Sequence, residues 1–262
     1  MIRQKPDREI TSHDVSHIYS EEYFSNQVDG YGEFSCFDGS FDTLFERYRR
    51  NILLLDLGEE HHFLDIGCGR GEVCIYHALM GGKAAGLDYS EPAIDMARQK
   101  AIALGAEVAF QCASFRDAAI ADAGFDRILA SEFIEHISKE EGEAFFLRAY
   151  AALKPGGRLL VFTYPNTLQR RYGYPLIYLY SLIAGKPVPW RQPDTVSEHF
   201  RLYHLNEQHV FSLRRMAKKA GFRQIATGYD TNQKPGGWLK RLVQRTPLRH
   251  ILLNNLYLIA EK

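Results

Sequence analysis

The segment "HFLDIGCGRGEVCIYHALMGG", residues 62–82, constrains the fold more than any other part of the chain. A short apolar run passes through Asp65, glycines stand at 67, 69 and 71, and a second apolar run ends at Gly81 and Gly82. Glycine admits positive φ and lets another group approach the main chain. The pattern therefore reads as a strand, a bare turn and a glycine-terminated helix. A turn of this kind is needed either for steric packing or to bring a ligand against the backbone. The spacing GxGxG differs from the GxGxxG of dinucleotide sites, and Glu72 at the helix start would oppose a pyrophosphate there.

The same rhythm continues along the chain. From about residue 41, Phe41, Phe45, Tyr48, Ile52 and Leu55 share one helical face. "KAAGLD" is a second strand, and Ser90 caps a helix with Ile94, Ala97, Ala101 and Leu104 on one stripe, stopped by Gly105. "AEVAFQC" and "FDRILAS" are further strands, and Ser138 with Glu141 has capping-box spacing for a helix running to Leu153. "KPGG" then turns the chain into the strand "RLLVFTYP". Strands alternating with helices imply an α/β protein with a mostly parallel sheet covered on both faces.

After Pro165 the alternation stops. Residues 166–205 form one long insertion, helix and strand resume with Asn206 as N-cap, residues 231–254 form a second insertion, and "LYLIAEK" is the closing strand. The expected organisation is a flexible N-terminus with a helical lid over residues 1–40 and one domain over 41–262.

Composition narrows the partners. Lys plus Arg equals Asp plus Glu at 32 each, so the global attraction expected of a nucleic-acid binder is missing. The four cysteines form no CxxC pair, no metal-ligand cluster stands out, and no signal-peptide core or membrane-length apolar run is evident. A metal-free, soluble and cytoplasmic protein is expected.

Asp88 ends the second strand, where an acidic side chain can accept from both hydroxyls of a ribose. Together with the glycine turn it defines a site for a nucleoside without pyrophosphate. The series "FLDIGCGRGE", "AAGLDYSEPAIDMAR", "FDRILASEFIEHI" and "LKPGGRLLVFTYPN" resembles class I S-adenosylmethionine-dependent methyltransferases, over roughly residues 60–165. It is most similar to the small-molecule branch that includes the ubiquinone-biosynthesis methyltransferases. The later "EHFRLYHLNEQHVFSLRRMAKKAGF" also resembles the end of sugar- and glycolipid-cluster members.

The resemblance implies a Rossmann-like doubly wound sheet of seven strands with helices on both faces, and S-adenosylmethionine as cofactor. By it, Asp65 would hold the methionine ammonium, and Gly67, Cys68 and Gly69 would pass beneath the cofactor. Asp88 would take the ribose, Tyr89 would pack on the adenine, and Ser131 and Glu132 would border the transfer site. Relatives place an aspartate after the third strand, whereas this chain has Ala113 and Ser114. Adenine recognition then falls to Ser114 and to stacking by Phe115. Tyr31 belongs to the expected lid, where ring faces suit a sulfonium.

A positioned nucleophile and a general base would complete the reaction, with O-methylation of a small or lipid-linked hydroxylated acceptor favoured. His136, His199 and His204 compete as base, and Tyr203 is a further candidate. The alternatives are a noncatalytic cofactor-binding subunit and an RNA methyltransferase. Both insertions mix basic and apolar residues. A cap formed by the two packing on each other is favoured over peripheral contact with a membrane, because Pro247 interrupts any long amphipathic helix.

Overall fold

The computed structural model describes Glu22, Phe24 and residues 30–188, 204–230 and 242–262. Seven strands form one sheet: β1 (His62–Ile66), β2 (Lys83–Asp88), β3 (Val108–Cys112), β4 (Phe125–Ser131), β5 (Leu153–Thr163), β6 (Gln224–Asp230) and β7 (Asn255–Glu261). Their order is β3-β2-β1-β4-β5-β7-β6. β1 pairs in parallel with both β2 and β4, while β7 runs antiparallel between β5 and β6. Strand order therefore reverses between β1 and β4, and the carboxyl end of β1 opens onto that switch point.

The α-helices are α1 (Tyr31–Cys36), α2 (Glu46–Leu55), α3 (Glu72–Leu79), α4 (Glu91–Leu104), α5 (Lys139–Ala152), α6 (Tyr174–Ile183), α7 (Val210–Ala220) and α8 (Arg249–Leu252), with a 3-10 turn at Ile134–His136 and a π-helical turn at Gln169–Gly173. Period-2 alternation in the central strands feeds two cores. Ile128 and Ala130 of β4, with Leu159 and Val161 of β5, pack beneath Phe145, Ala149, Leu213 and Ala217 of α5 and α7. Leu129 and Leu160 point the other way, to Ile52, Leu55, Val73 and Ile94 of α2, α3 and α4. Both faces are covered, as a buried parallel sheet requires.

Two boundaries differ from the sequence reading. α2 begins at Glu46 rather than near 41, because Asp38, Ser40 and Thr43 bond one another in a competing turn, Thr43 Oγ1 donating to Asp38 Oδ1 at 2.7 Å. The cap of α7 is His209, not Asn206: its Nδ1 accepts from Ser212 N and its own N–H donates to Ser212 Oγ, both at 3.1 Å. Asn206 is instead buried, donating to the Ser138 carbonyl at 3.3 Å. No helix among the described residues is long and apolar enough to cross a membrane.

Candidate active site

The glycine turn folds over the end of β2, since the N–H groups of Gly67 and Cys68 both donate to the Leu87 carbonyl, at 2.7 and 3.0 Å. Gly67, Gly69 and Gly71 all have positive φ, at 76°, 52° and 76°. Their surroundings separate steric need from ligand space. A Cβ on Gly67 would sit 2.7 Å from the Phe133 ring, and one on Gly71 would sit 2.6 Å from the Phe110 ring. At Gly69, among the described residues, the Phe24 ring alone comes within range, at 3.8 Å, so no described side chain fills the space beside this stretch of main chain. Gly67 and Gly71 allow packing, and Gly69 lines the cradle.

Two carboxylates flank that cradle. Asp88 Oδ2 accepts from Gly69 N and Oδ1 from Ser90 N, each at 2.9 Å, which fixes the carboxylate and leaves a lone pair on each oxygen for a diol. Burial pushes Asp88 up, against those two hydrogen bonds. Asp65 is 5% exposed and its Oδ1 has no hydrogen-bond partner. Burial pushes its carboxyl well above the usual range, and the nearby charges of Asp88 and Glu72 add to the shift. A buried carboxylate oxygen left unpaired fits an incoming ammonium group.

Arg70 and Glu72 turn away from ligand duty. Arg70 is buried, donates to the Phe24 carbonyl at 3.0 Å and pairs with Glu72 at 3.2 Å. Its guanidinium lies 4.9 Å from the Phe34 ring and 5.9 Å from the Tyr31 ring. The ion pair thus fastens the N-terminal segment to the glycine turn. Tyr31, expected as a cofactor contact, stands on Arg70, and Phe24 is the described ring over Gly69.

At the end of β3, Ala113 N donates to Asp88 O at 2.9 Å, which places Ser114 one residue from that contact. The Ser114 hydroxyl accepts from Arg116 N at 3.3 Å. Tyr89 follows Asp88 at the end of β2. Phe115 is buried and edge-on to Phe133 and Phe145, packed against the core beside Ser114.

The ends of β4 and β5 build a second group of side chains. Glu132 has φ 53°, and its N–H donates to Phe162 O at 2.8 Å. Its carboxylate pairs with Arg47 of α2, and Asn51 one turn on donates to Ser131 Oγ at 2.9 Å. Glu135 is fully buried and accepts from Thr163 Oγ1 at 2.8 Å, while its Oε1 has no partner. Burial, then the charge of Glu132, pushes Glu135 up to about 8, so it carries its proton at neutral pH.

Next to it, the His136 and His204 rings meet edge-on, 5.0 Å apart. Tyr164 lies 5.9 Å from His204, whose Nδ1 is 3.9 Å from Glu207, itself paired with Arg170. Burial, then the charges of His136 and Arg170, pushes His204 down to about 3. The imidazole of His204 is therefore neutral. His199 and Tyr203 lie outside the described residues. Among the described residues no group of three or more His, Cys, Asp or Glu side chains is arranged to hold a metal ion.

Arg47, Asn51, Glu135, Thr163 and Tyr164 were not singled out from sequence. The available signal was the pair Glu132 and Glu135 in "EFIEHI". Arg47 and Asn51 were legible only as part of a core helix.

The sheet order with its antiparallel seventh strand, together with the glycine turn between β1 and α3, gives the Rossmann-like fold shared by class I methyltransferases. Residues 63–157 match the family described as a methyltransferase domain. The chain is 36% identical over 117 residues to the ubiquinone biosynthesis O-methyltransferase of Brucella ovis, covering 44% of this chain and 45% of that one. It thus spans less than half the length of that relative. The enzyme of the same name from Idiomarina loihiensis is 28% identical over 72% of this chain and 74% of its own. Among solved structures, Haemonchus contortus phosphoethanolamine N-methyltransferase 2 with S-adenosyl-L-methionine superposes with a TM-score of 0.60 at 17% identity, covering 93% of this chain and 60% of that one. Over residues 63–157 the chain is thus similar to a methyltransferase domain, and its sheet has the fold of solved methyltransferases.

Proposed function

We propose that this protein transfers the methyl group of S-adenosylmethionine to a hydroxyl of a small or lipid-linked acceptor. The observation that carries the cofactor half is the partnerless Asp65 oxygen beside the bare backbone at Gly69. Asp65 would hold the methionine ammonium, the Gly67–Gly69 main chain would run beneath the cofactor, Asp88 would take the ribose, and Tyr89 and Ser114 would border the adenine. The bound cofactor supplies a methyl already activated on a sulfonium, so the chain's task is to position a nucleophile and exclude water.

The acceptor half is assigned to the group at the ends of β4 and β5. His204 is too weak a base to take a proton at neutral pH, so it serves as a hydrogen-bonding partner. His136, edge-on to it and one residue from the protonated Glu135, is the base we assign to the acceptor hydroxyl. Ser131 and Glu132 stand at the border of the two halves, fixed by Asn51 and Arg47. The relatives named for O-methylation in ubiquinone biosynthesis support a hydroxylated acceptor. Nothing in the chain's balanced charge favours RNA.

Titration calorimetry with S-adenosylhomocysteine, followed by methyl-transfer assays over hydroxylated acceptors, tests the assignment. Asp88→Ala should weaken binding at least tenfold. His136→Ala should bind the product normally and lose roughly 100-fold or more in turnover. Unchanged affinity in the first variant, or full activity in the second, removes that residue from its role.

A further inference from the structure

α6 is an unusual helix for a covered α/β domain. Its sequence YPLIYLYSLI is almost wholly apolar, yet Ser181 is its only buried residue. Leu176, Leu179, Tyr180 and Ile183, at helical spacing i, i+3, i+4 and i+7, are 47%, 56%, 58% and 80% exposed. Leu248, beside α8, extends the apolar surface at 48% exposed. A stripe of this width normally faces a core, and an exposed one marks an interaction surface.

The stripe is presented on a firm base. α6 follows a π-helical turn, Gln169–Gly173, that packs so tightly on the second insertion that a Cβ at Gly173 would lie 1.5 Å from the Ile251 carbonyl oxygen. Asn166 Nδ2 donates to the carbonyls of His250 and Leu253, both at 2.8 Å, and Tyr229 Oη meets His250 Nδ1 at 2.8 Å. The described parts of the two insertions are therefore joined, and they hold the apolar face outward.

Charge selects the occupant. Residues 166–188 and 242–254 contain Arg170, Arg171, Lys186, Arg245 and Arg249 and no aspartate or glutamate, in a chain of zero net charge. Arg171, Lys186, Arg245 and Arg249 are exposed, while Arg170 pairs with Glu207 beside His204. Two such faces brought together in a dimer would oppose cation to cation. A negatively charged lipid surface instead takes the cations at its headgroups and the leucine stripe just below them. α6 spans only about 15 Å, which suits lying in the interface and not crossing it.

We propose that α6, flanked by Arg171, Lys186, Arg245 and Arg249, is a docking surface for an anionic phospholipid membrane. Arg170 and Glu207 link the base of α6 to His204, so docking places the acceptor side of the domain toward the lipid; that consequence for a lipid-borne acceptor rests on the function proposed above. Docking itself requires no turnover and is measured without it.

The test is co-sedimentation of the full chain with phosphatidylcholine vesicles, with and without phosphatidylglycerol. Binding should be at least about tenfold tighter to the anionic vesicles and should weaken as salt rises. Leu179→Ser with Ile183→Ser should lose roughly tenfold or more in vesicle binding. These side chains lie outside the cradle, so affinity for S-adenosylhomocysteine stays unchanged and reports an intact fold. Arg171→Ala with Lys186→Ala should abolish the preference for anionic lipid. Absence of wild-type binding to anionic vesicles at low salt overturns the proposal. So does equal binding by the Leu179/Ile183 variant. A dimer that dissociates in that variant would assign the face to a second copy of the chain and also overturn it.

Discussion

Replacing Asp65 with asparagine should move stability and ligand affinity in opposite directions. Asp65 is 5% exposed with one oxygen unpartnered, and burial, Asp88 and Glu72 all raise its pKa. An acid whose folded pKa is raised stabilises the fold fully below its unfolded pKa, and that stability is lost as pH rises through the folded value. At neutral pH the wild-type, ligand-free fold therefore bears a penalty that Asp65→Asn avoids. Each unit by which the folded-state pKa is raised corresponds to about 1.4 kcal/mol of that penalty. Each kcal/mol shifts the melting temperature by roughly 2–4 °C in a protein of this size. The variant should melt higher than wild type at neutral pH, with the gap narrowing as pH falls toward the ordinary carboxylate range. Binding should go the other way. A hydrogen bond to a charged group is worth about 1.5–3 kcal/mol, so affinity for S-adenosylhomocysteine, which keeps the ammonium, should drop roughly 10- to 150-fold. Calorimetry in buffers of different ionisation enthalpy should show more proton release on binding to wild type than to the variant. A lower melting temperature in the ligand-free variant, or wild-type affinity, would refute the reasoning.

Arg70→Met should destabilise the fold by about 3–5 kcal/mol, because it leaves Glu72 buried without its ion-pair partner and frees the Phe24 carbonyl; urea unfolding measures it, and a change under 1 kcal/mol would show that the latch contributes little. Ser138→Ala removes the reciprocal capping box with Glu141 on α5 and should cost about 1 kcal/mol by the same method, with cofactor affinity untouched.

Sequence legibility followed how locally each feature is built. The glycine turn and Asp88 lie at two adjoining strand ends, so spacing pointed to them as a pair, while Asp65 entered only through the family resemblance. The capping box at Ser138 was equally legible, because a cap is made by residues three apart. The start of α2 was misplaced because apolar periodicity through Phe41 could not reveal that Asp38 and Thr43 tie the preceding backbone into a turn. The packing of Phe115 was not legible for a related reason: its edge-on contacts with Phe133 and Phe145 are made by residues far along the chain.

The acceptor side shows why its half of the site was harder to read. Its groups come from α2, the end of β4, the end of β5 and the segment after the first insertion, 47 to 207 in the chain. Only parallel pairing of β4 with β5 brings Glu135 to Thr163, and only the packing of α2 on the sheet brings Arg47 to Glu132. Once assembled, the charges order one another. Arg47 pairs with Glu132, while the Glu132 charge helps keep Glu135 protonated. Arg170 lies close enough to His204 to disfavour the imidazolium, and pairs with Glu207 at the same time. A neutral acid and a neutral imidazole thus flank His136 at physiological pH. The protonation states of this group are set by contacts no local pattern contains, whereas the glycine turn is written in ten consecutive residues.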